Sequence, residues 1–526
     1  MKLSMRGFFF IPLVILLCAY LGGVYGPQVI AQNGSDDQKI QKSLSAISQV
    51  LNTVEQQYAD PVEVEKVIFN GAIPGMLRTL DPHSNFFDPK SFALLREDQQ
   101  GRYYGVGMTV TPRNGKTIVL APFVGSPAYK AGLRPGDVIY EVDGTKTEGK
   151  NTTEVADLLK GPKGTKVRIM VIREGSPDPL EFSIVRDEIP RRSIDHAFLL
   201  SPDVGYIRIA SFNENTSREL REEMQNLNVP ALKGMVLDLR NNPGGLLAEG
   251  VNVTDLFLEK GQLIVSHRGR SSPERKYTAR RGGGEPYPLV VIMNRYSASA
   301  AEILAGAIQD HDRGLIIGEA SFGKGLVQTV YPLSQDSGLA LTTAKYYTPS
   351  GRLIQRDYSS VSLYDYYYHK ENVGSNSSDV RKTDAGRPVY GGGGISPDVE
   401  VGDAKLNPFQ EILARQYAFF NFAKRYLAEN KTIDRDFEAT KDVLDRFQRF
   451  LQEEKVEIDQ KDFEANLDYI KHNIKTELTL SIFGMNEAFK LQATADPQIQ
   501  KAVELLPQAA ALLENAKQMM AEQKLP

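Results

Sequence analysis

The chain has 526 residues, a formal net charge of −4, 41% hydrophobic and 24% charged residues. That length predicts roughly three or four domains rather than one core, the mixed composition excludes a membrane helix bundle, and the near-balanced charge supplies no electrostatic reason to bind nucleic acid. The one cysteine, Cys18, falls in an N-terminal apolar run, so the remainder can form neither a disulfide nor a thiol nucleophile.

At the N-terminus, Lys2 and Arg6 precede an apolar run from Phe8 to about Val24, then Gly26-Pro27 and a polar stretch. Charge followed by apolar residues over 1–31 reads as a secretory signal or an uncleaved membrane anchor, with cleavage near Ala31 and retention both open. Either predicts an exported protein, periplasmic or membrane-anchored and facing outward in a bacterium. Next, Ile40, Leu44, Ile47, Val50, Leu51 and Val54, and then Val67, Ile68, Ile73 and Leu77, recur at helical spacing. They predict an N-terminal helical domain over 36–97, with a turn at Asp81-Pro82-His83-Ser84-Asn85.

Residues 98–188 carry two informative segments, Tyr103 to Val110 and Ser126 to Gly144, the latter containing Arg134-Pro135-Gly136-Asp137. Gly105 and Gly107 let backbone N–H groups converge ahead of a strand, a concavity suited to a carboxylate, although two such glycines alone also fit a plain turn. With the second segment, the stretch resembles a PDZ domain. That resemblance implies capture of a peptide C-terminus at Tyr104, Gly105, Val106 and Gly107, the peptide adding as an extra strand.

From 189 to 404, short β runs (204 to 209, 234 to 239, 289 to 293, 315 to 317) alternate with helical runs such as 299 to 308, predicting an α/β core. Within it, Tyr358 to Gly394 is rich in Tyr, Ser, Asn and Gly and reads as a long exposed or partly ordered loop. Residues 405–526 show successive helical stripes, among them Phe409, Leu413, Phe447, Phe450, Ile470, Val503 and Leu506, predicting a C-terminal helical domain. Oligomerisation through the helical regions is a second use of such stripes.

The stretch Gly318 to Gly325, GEASFGKG, fits seven of the eight positions of the phosphate-loop pattern G-x-x-x-x-G-K-[ST]. The eighth is Gly325 instead of a metal-binding hydroxyl, and a β-branched run follows where a phosphate loop opens a helix. Nucleotide binding is therefore disfavoured. Upstream, Asn294 to Ile303 sets serines and small residues at a strand-to-helix corner, where Ser299 exposes a hydroxyl beside free backbone N–H groups. Its base is either His311, in Asp310-His311-Asp312, or Lys324; a neutral lysine requires burial that disfavours the ammonium by about 3–5 kcal/mol. Ser297 competes as nucleophile but suits an N-cap, and Glu302 reads as a capping charge. A third segment, Val236 to Leu247, bends at Pro243-Gly244-Gly245; its amides, with that of Ala300, can form an oxyanion hole, and equally form a tight turn into a helix.

The three segments together, with the embedded PDZ pattern, resemble the carboxyl-terminal processing peptidases, or tail-specific proteases, relatives of the tricorn protease core, over about Ile40 to Val401. The resemblance implies a multidomain α/β fold: a tricorn-core-like α/β protease domain with an inserted β-rich PDZ domain, plus helical N- and C-terminal regions. It implies Ser299 as nucleophile, Lys324 as general base and Gln328 orienting that lysine; the amides of Gly245 and Ala300 are then the ones placed to serve the oxyanion. Substrates are then proteins or peptides with exposed C-termini, with no metal, cofactor or nucleic acid required. Ala301 departs from the family's serine at that position, two residues past the nucleophile. The alternative is a catalytically silent PDZ scaffold.

Overall fold

The computed structural model describes residues 37–228, 232–282, 287–368, 376–456 and 459–523. The export segment expected over 1–31, with Cys18 and Ala31, lies outside them. Among the described residues no helix is long and apolar enough to cross a membrane. Two compact units divide between Asp81 and Pro82. The smaller holds a helix over 37–57, with Ile40, Leu44, Ile47 and Val50 on one exposed stripe, and a helical stretch running from Val64–Val67 to Ile73–Arg78.

Residues 82–97, grouped with those helices by periodicity, build the larger unit instead. Asn85–Phe87 pairs antiparallel with Gly338–Tyr347, and Pro89–Gln100 is a helix whose N-cap, Asp88, accepts the Ser91 N–H at 2.7 Å. The core of this unit is a six-stranded sheet in the order Ile194–Ser201, Val204–Ile209, Gly234–Asp238, Leu289–Met293, Leu315–Gly318, Val399–Glu400. Only the first pair is antiparallel. The central strands read as unbroken apolar runs because helices cover both faces. Thr216–Asn226, Leu247–Thr254 and Ala300–Asp310 share a core with Ile207, Leu237 and Val291 on one face. On the other, Ala493, Ile499, Leu506 and Ala509 pack on Tyr206, Val236, Val290 and Ile317.

That second layer comes from the last three helices, Met485–Ala495, Pro497–Glu504 and Leu506–Gln523. Periodicity assigned them to one C-terminal helical domain, but a stripe does not say what it faces. The helices between Pro408 and Phe483 do close a core of their own around Phe419, Phe422, Phe447 and Leu478. A second sheet pairs Leu326–Pro332 and Leu263–Arg268 with Gly338–Tyr347.

The β-rich stretch has a separate core around Val119, Ile139, Val155 and Ile169. The chain enters and leaves it through an antiparallel ribbon, Arg102–Gly105 against Asp187–Pro190. Met108–Arg113 is the edge strand of its sheet, and the helix Thr152–Leu159, closed by an Asn151/Glu154 capping box, packs against it. Part of the loop expected at Tyr358 to Gly394 is regular: Leu363–Tyr368 is a helix, and Asn376–Lys382 pairs with Pro388–Gly391. Tyr366 is wholly buried, which tyrosine-rich composition alone does not reveal.

Candidate active site

Three loops leave the carboxyl ends of adjacent parallel strands, Gly234–Asp238, Leu289–Met293 and Leu315–Gly318, the place where open α/β sheets gather ligand-binding loops. They carry Gly244-Gly245, Ser299 and Lys324. Ser299 is the N-cap of Ala300–Asp310 and holds φ 55°, ψ −114°. A non-glycine residue in that region costs about 1–3 kcal/mol and persists only where its surroundings impose it. They do so here: the Ala298 N–H reaches the Asn242 carbonyl at 2.9 Å, and Gly244 lies so close that a Cβ on it would stand 2.7 Å from Ser299 Cβ.

Glu302 joins the serine turn to the lysine turn. One carboxylate oxygen accepts the N–H of Ser299 at 2.8 Å and of Lys324 at 2.9 Å; the other accepts Ser321 Oγ at 2.5 Å and the Gly323 N–H at 2.7 Å. Complete burial pushes this carboxyl above its ordinary value, against the pull of those four donors. Tyr346 adds a second tie, its hydroxyl lying 2.5 Å from the Lys324 carbonyl and 3.2 Å from that of Ser299. Burial, and after it the Glu302 charge, raise this phenol well above its ordinary value, so it stays a donor.

The Lys324 side chain is half-buried, and its Nζ donates to Gln328 Oε1 at 3.1 Å. Gln328, on the next strand, donates through Nε2 to the His83 carbonyl at 2.6 Å, which fixes its amide. The glycines around the lysine are sterically required: a Cβ on Gly325 would lie 2.8 Å from Gln355 N, and one on Gly323 3.0 Å from Arg356 Cβ. The phosphate-loop likeness of this stretch ends at the strand Leu326–Pro332.

Among the residues named from sequence, Ser299, Lys324, Gln328, Ala300 and the Gly244-Gly245 bend come together. Gly245 bridges to Phe212 through the neighbouring Gly244 carbonyl and Leu246 N–H, leaving its own N–H out of that pairing. Gly244 packs against Ala300, a Cβ on it reaching 2.9 Å from Ala300 N. His311 does not join them. It caps the far end of the helix that Ser299 begins, about 18 Å away at helical rise. It is also buried and engaged, with Nδ1 on Asp384 and Nε2 on the Leu263 carbonyl, both at 2.7 Å. A Ser299–His311 pair is thereby ruled out. Nor is Ser297 the N-cap: fully buried, its Oγ donates to the Leu239 carbonyl at 2.7 Å and accepts the Asn294 N–H at 3.0 Å.

Tyr104, Gly105, Val106 and Gly107 lie apart from this centre, at the ribbon and the start of the edge strand. Gly107 has φ 78°, and a Cβ there would meet Ser126 Cβ at 2.6 Å. Ser126 Oγ in turn donates to the Gly107 carbonyl at 2.7 Å. Sequence reasoning missed Tyr346, Ser321 and the bridging role of Glu302. Tyr346 opens the stretch Tyr-Tyr-Thr-Pro-Ser-Gly-Arg, which a motif search can single out; the others have no local signal, since the loops they join meet only through the sheet.

Ser299, Lys324 and Gln328 thus meet at the loops that leave this sheet, and similarity to known proteins supplies the class. The model of peptidase family S41 matches residues 203–359 and that of the PDZ domain residues 118–173. The activating protease CtpB N-terminal domain matches 25–91, and the C-terminal helical domain of a probable PDZ-protease matches 409–461. A carboxy-terminal-processing protease of Bartonella bacilliformis is 41% identical, the match covering 61% of this chain and 74% of that one. A carboxyl-terminal-processing protease of Synechocystis sp. is 38% identical over 54% of this chain and 68% of that one. A solved photosystem II D1 C-terminal processing protease shares 33% identity, covering 67% of this chain and 85% of that one, with a TM-score of 0.35. The protein is a serine-type peptidase. It belongs to the carboxy-terminal-processing proteases of family S41, with a PDZ domain.

Proposed function

We propose that this chain is an exported endopeptidase that binds substrate C-termini through its PDZ domain and cleaves peptide bonds with a Ser299–Lys324 dyad. The observation that carries the reading is the Glu302 oxygen shared by the Ser299 and Lys324 N–H groups, which keeps the two backbones within about 6 Å, the reach of two hydrogen bonds. Neutral Lys324 takes the Ser299 proton as Oγ bonds to the peptide carbonyl carbon, while the Ala300 and Gly245 amides hold the oxyanion. The ammonium then protonates the leaving amine as the C–N bond breaks. Water, deprotonated by the same lysine, releases the acyl group. Gln328 keeps the amine aimed.

For the PDZ role, the support is the open edge of Met108–Arg113 beside Thr152–Leu159, with the Tyr104–Gly107 loop at its start. The Arg102–Gly105 and Asp187–Pro190 ribbon supports an inserted arrangement. Export rests on Lys2, Arg6 and the apolar run after them.

The test is an unfolded substrate with an apolar C-terminal tail. The parent should cleave it, with Ser299→Ala and Lys324→Ala each slower by at least about a thousandfold. Its kcat/KM should rise with pH as the lysine loses its proton. Parental rates in both variants would sink the dyad; equal cleavage of carboxylate- and amide-terminated tails would sink the PDZ role; no cleavage by the parent would favour a silent scaffold. N-terminal sequencing of exported protein reads whether 1–31 is removed.

A further inference from the structure

We infer that Tyr366 is a positioning residue for Lys324, its buried hydroxyl joining two hydrogen-bonded paths that end on the lysine and on the residue after it. The inference rests on the Ser299–Lys324 reading above.

Along the first path, the Tyr366 hydroxyl shares a hydrogen bond with His83 Nε2 at 2.9 Å. The His83 carbonyl accepts Gln328 Nε2 at 2.6 Å, and Gln328 Oε1 accepts Lys324 Nζ at 3.1 Å. Along the second, Gln355 Nε2 donates to the Tyr366 oxygen at 3.1 Å while Gln355 Oε1 accepts the Gly325 N–H at 2.8 Å. Tyr366, His83 and Gln355 are all buried. The Arg356 guanidinium lies 4.6 Å over both the Tyr366 and Phe322 rings and donates to the Tyr366 carbonyl, and the Arg356 N–H reaches the Gly323 carbonyl at 2.9 Å. The helix bearing Tyr366 is itself pinned beside His83, with Tyr367 donating its hydroxyl to the Pro82 carbonyl at 2.9 Å.

A lysine amine rides on a flexible four-carbon stem, and a general base is effective only within hydrogen-bond reach of its proton. Gln328 supplies the acceptor, but its own aim depends on the His83 carbonyl, and His83 is held from behind by Tyr366. Burial pushes the Tyr366 phenol up to about 12, so the group keeps its proton throughout and acts by geometry rather than by proton transfer. The tyrosine-rich stretch after Tyr358 is thus a docked part of the peptidase site.

Tyr366→Phe removes only the hydroxyl and keeps the ring against Phe322 and Arg356. With the apolar-tailed substrate it should lower kcat by about 10- to 100-fold, the cost of a misplaced catalytic group, with KM at the parental value and a modest drop in melting temperature as buried His83 Nε2 loses its partner. Combined with Gln328→Ala, it should cost little more than Gln328→Ala alone, because both act through one amine. Gln355→Leu, cutting the second path, is the companion variant should Tyr366→Phe fold poorly, and should show the same loss in kcat at an unchanged KM. Parental kcat in both variants, or losses that multiply fully with Gln328→Ala, would overturn the inference while leaving the dyad intact. Parental activity in Ser299→Ala and Lys324→Ala would remove the dyad instead.

Discussion

Glu302 shows how one residue ties two loops together. Its buried carboxylate is the acceptor for three backbone N–H groups and one hydroxyl drawn from two different loops. Glu302→Ala would strand those donors, and a buried unsatisfied donor costs about 1–3 kcal/mol. We expect it to lower stability by about 3–5 kcal/mol in denaturant titration and to abolish peptidase activity. Gly244→Ala is a more local probe: at φ 91° an added Cβ would stand 2.6 Å from the Ala298 carbonyl oxygen. It should cost about 1–3 kcal/mol of stability and displace the Ser299 turn, so that kcat falls by about a hundredfold or more while the variant still folds. Glu302 was legible in the sequence as a helix-capping charge, because the cap is a matter of residues three apart. Its hold on Gly323 and Lys324 was not, because nothing in chain order places them beside the start of that helix.

At the scale of elements, the helix Met485–Ala495 docks on the antiparallel strand Ile194–Ser201. The Phe489 ring stacks on His196 with centroids 3.7 Å apart and planes 5° from parallel. Burial, with the Arg208 charge beside it, pushes the His196 imidazole down to about 4. A folded value below the ordinary one, near 6.5, means that the folded state refuses the proton that the unfolded chain accepts. The stability from this neutral stack is therefore full above that ordinary value and lost as the pH falls toward 4. His196→Phe keeps a ring on Phe489 without titrating. Its melting temperature relative to the parent should rise as the pH drops from about 7 to about 4, and hydrogen exchange over 485–495 should slow in step. Asp195, pushed up to about 6 by burial, titrates in the same window in the opposite sense and is common to both proteins, so the difference between them isolates His196.

At the scale of the whole molecule, one question is what each helical stripe covers. The last three helices shield Tyr206, Val236, Val290, Ile292 and Ile317, a sheet face whose one polar group among these, the Tyr206 hydroxyl, is bonded to Asp238 at 2.7 Å. Truncation after Gly484 should expose that face and leave the protein insoluble or with no cooperative thermal transition, although every proposed catalytic residue is retained. A second long-range contact ties the PDZ hairpin to the helices after Pro408. The Arg113 guanidinium lies 4.2 Å over the Phe420 ring and 5.0 Å over that of Tyr417, and Lys424 pairs with Glu174. Arg113→Ala should raise hydrogen exchange in 409–430 and in the hairpin 108–122 without moving the main melting transition, because neither core is opened by it.

The sequence by itself determined the candidate reacting residues, the alternation of strands and helices, and the glycines of the three loops, for these follow from local spacing and from motifs a few residues long. It also carried the family likeness, since the segments around Gly244, Ser299 and Lys324 keep their order and chemistry. Only the tertiary structure decided which of two candidate bases stands near Ser299, because chain order sets His311 nearer to that serine than Lys324. Parallel strands side by side brought the lysine loop to the serine loop, while helical rise carried His311 to the opposite end. The partners of Glu302, the burial of Tyr366 and the surface under the last helices belong to the same class: each is a meeting of segments far apart in the chain, selected by packing rather than by any local preference.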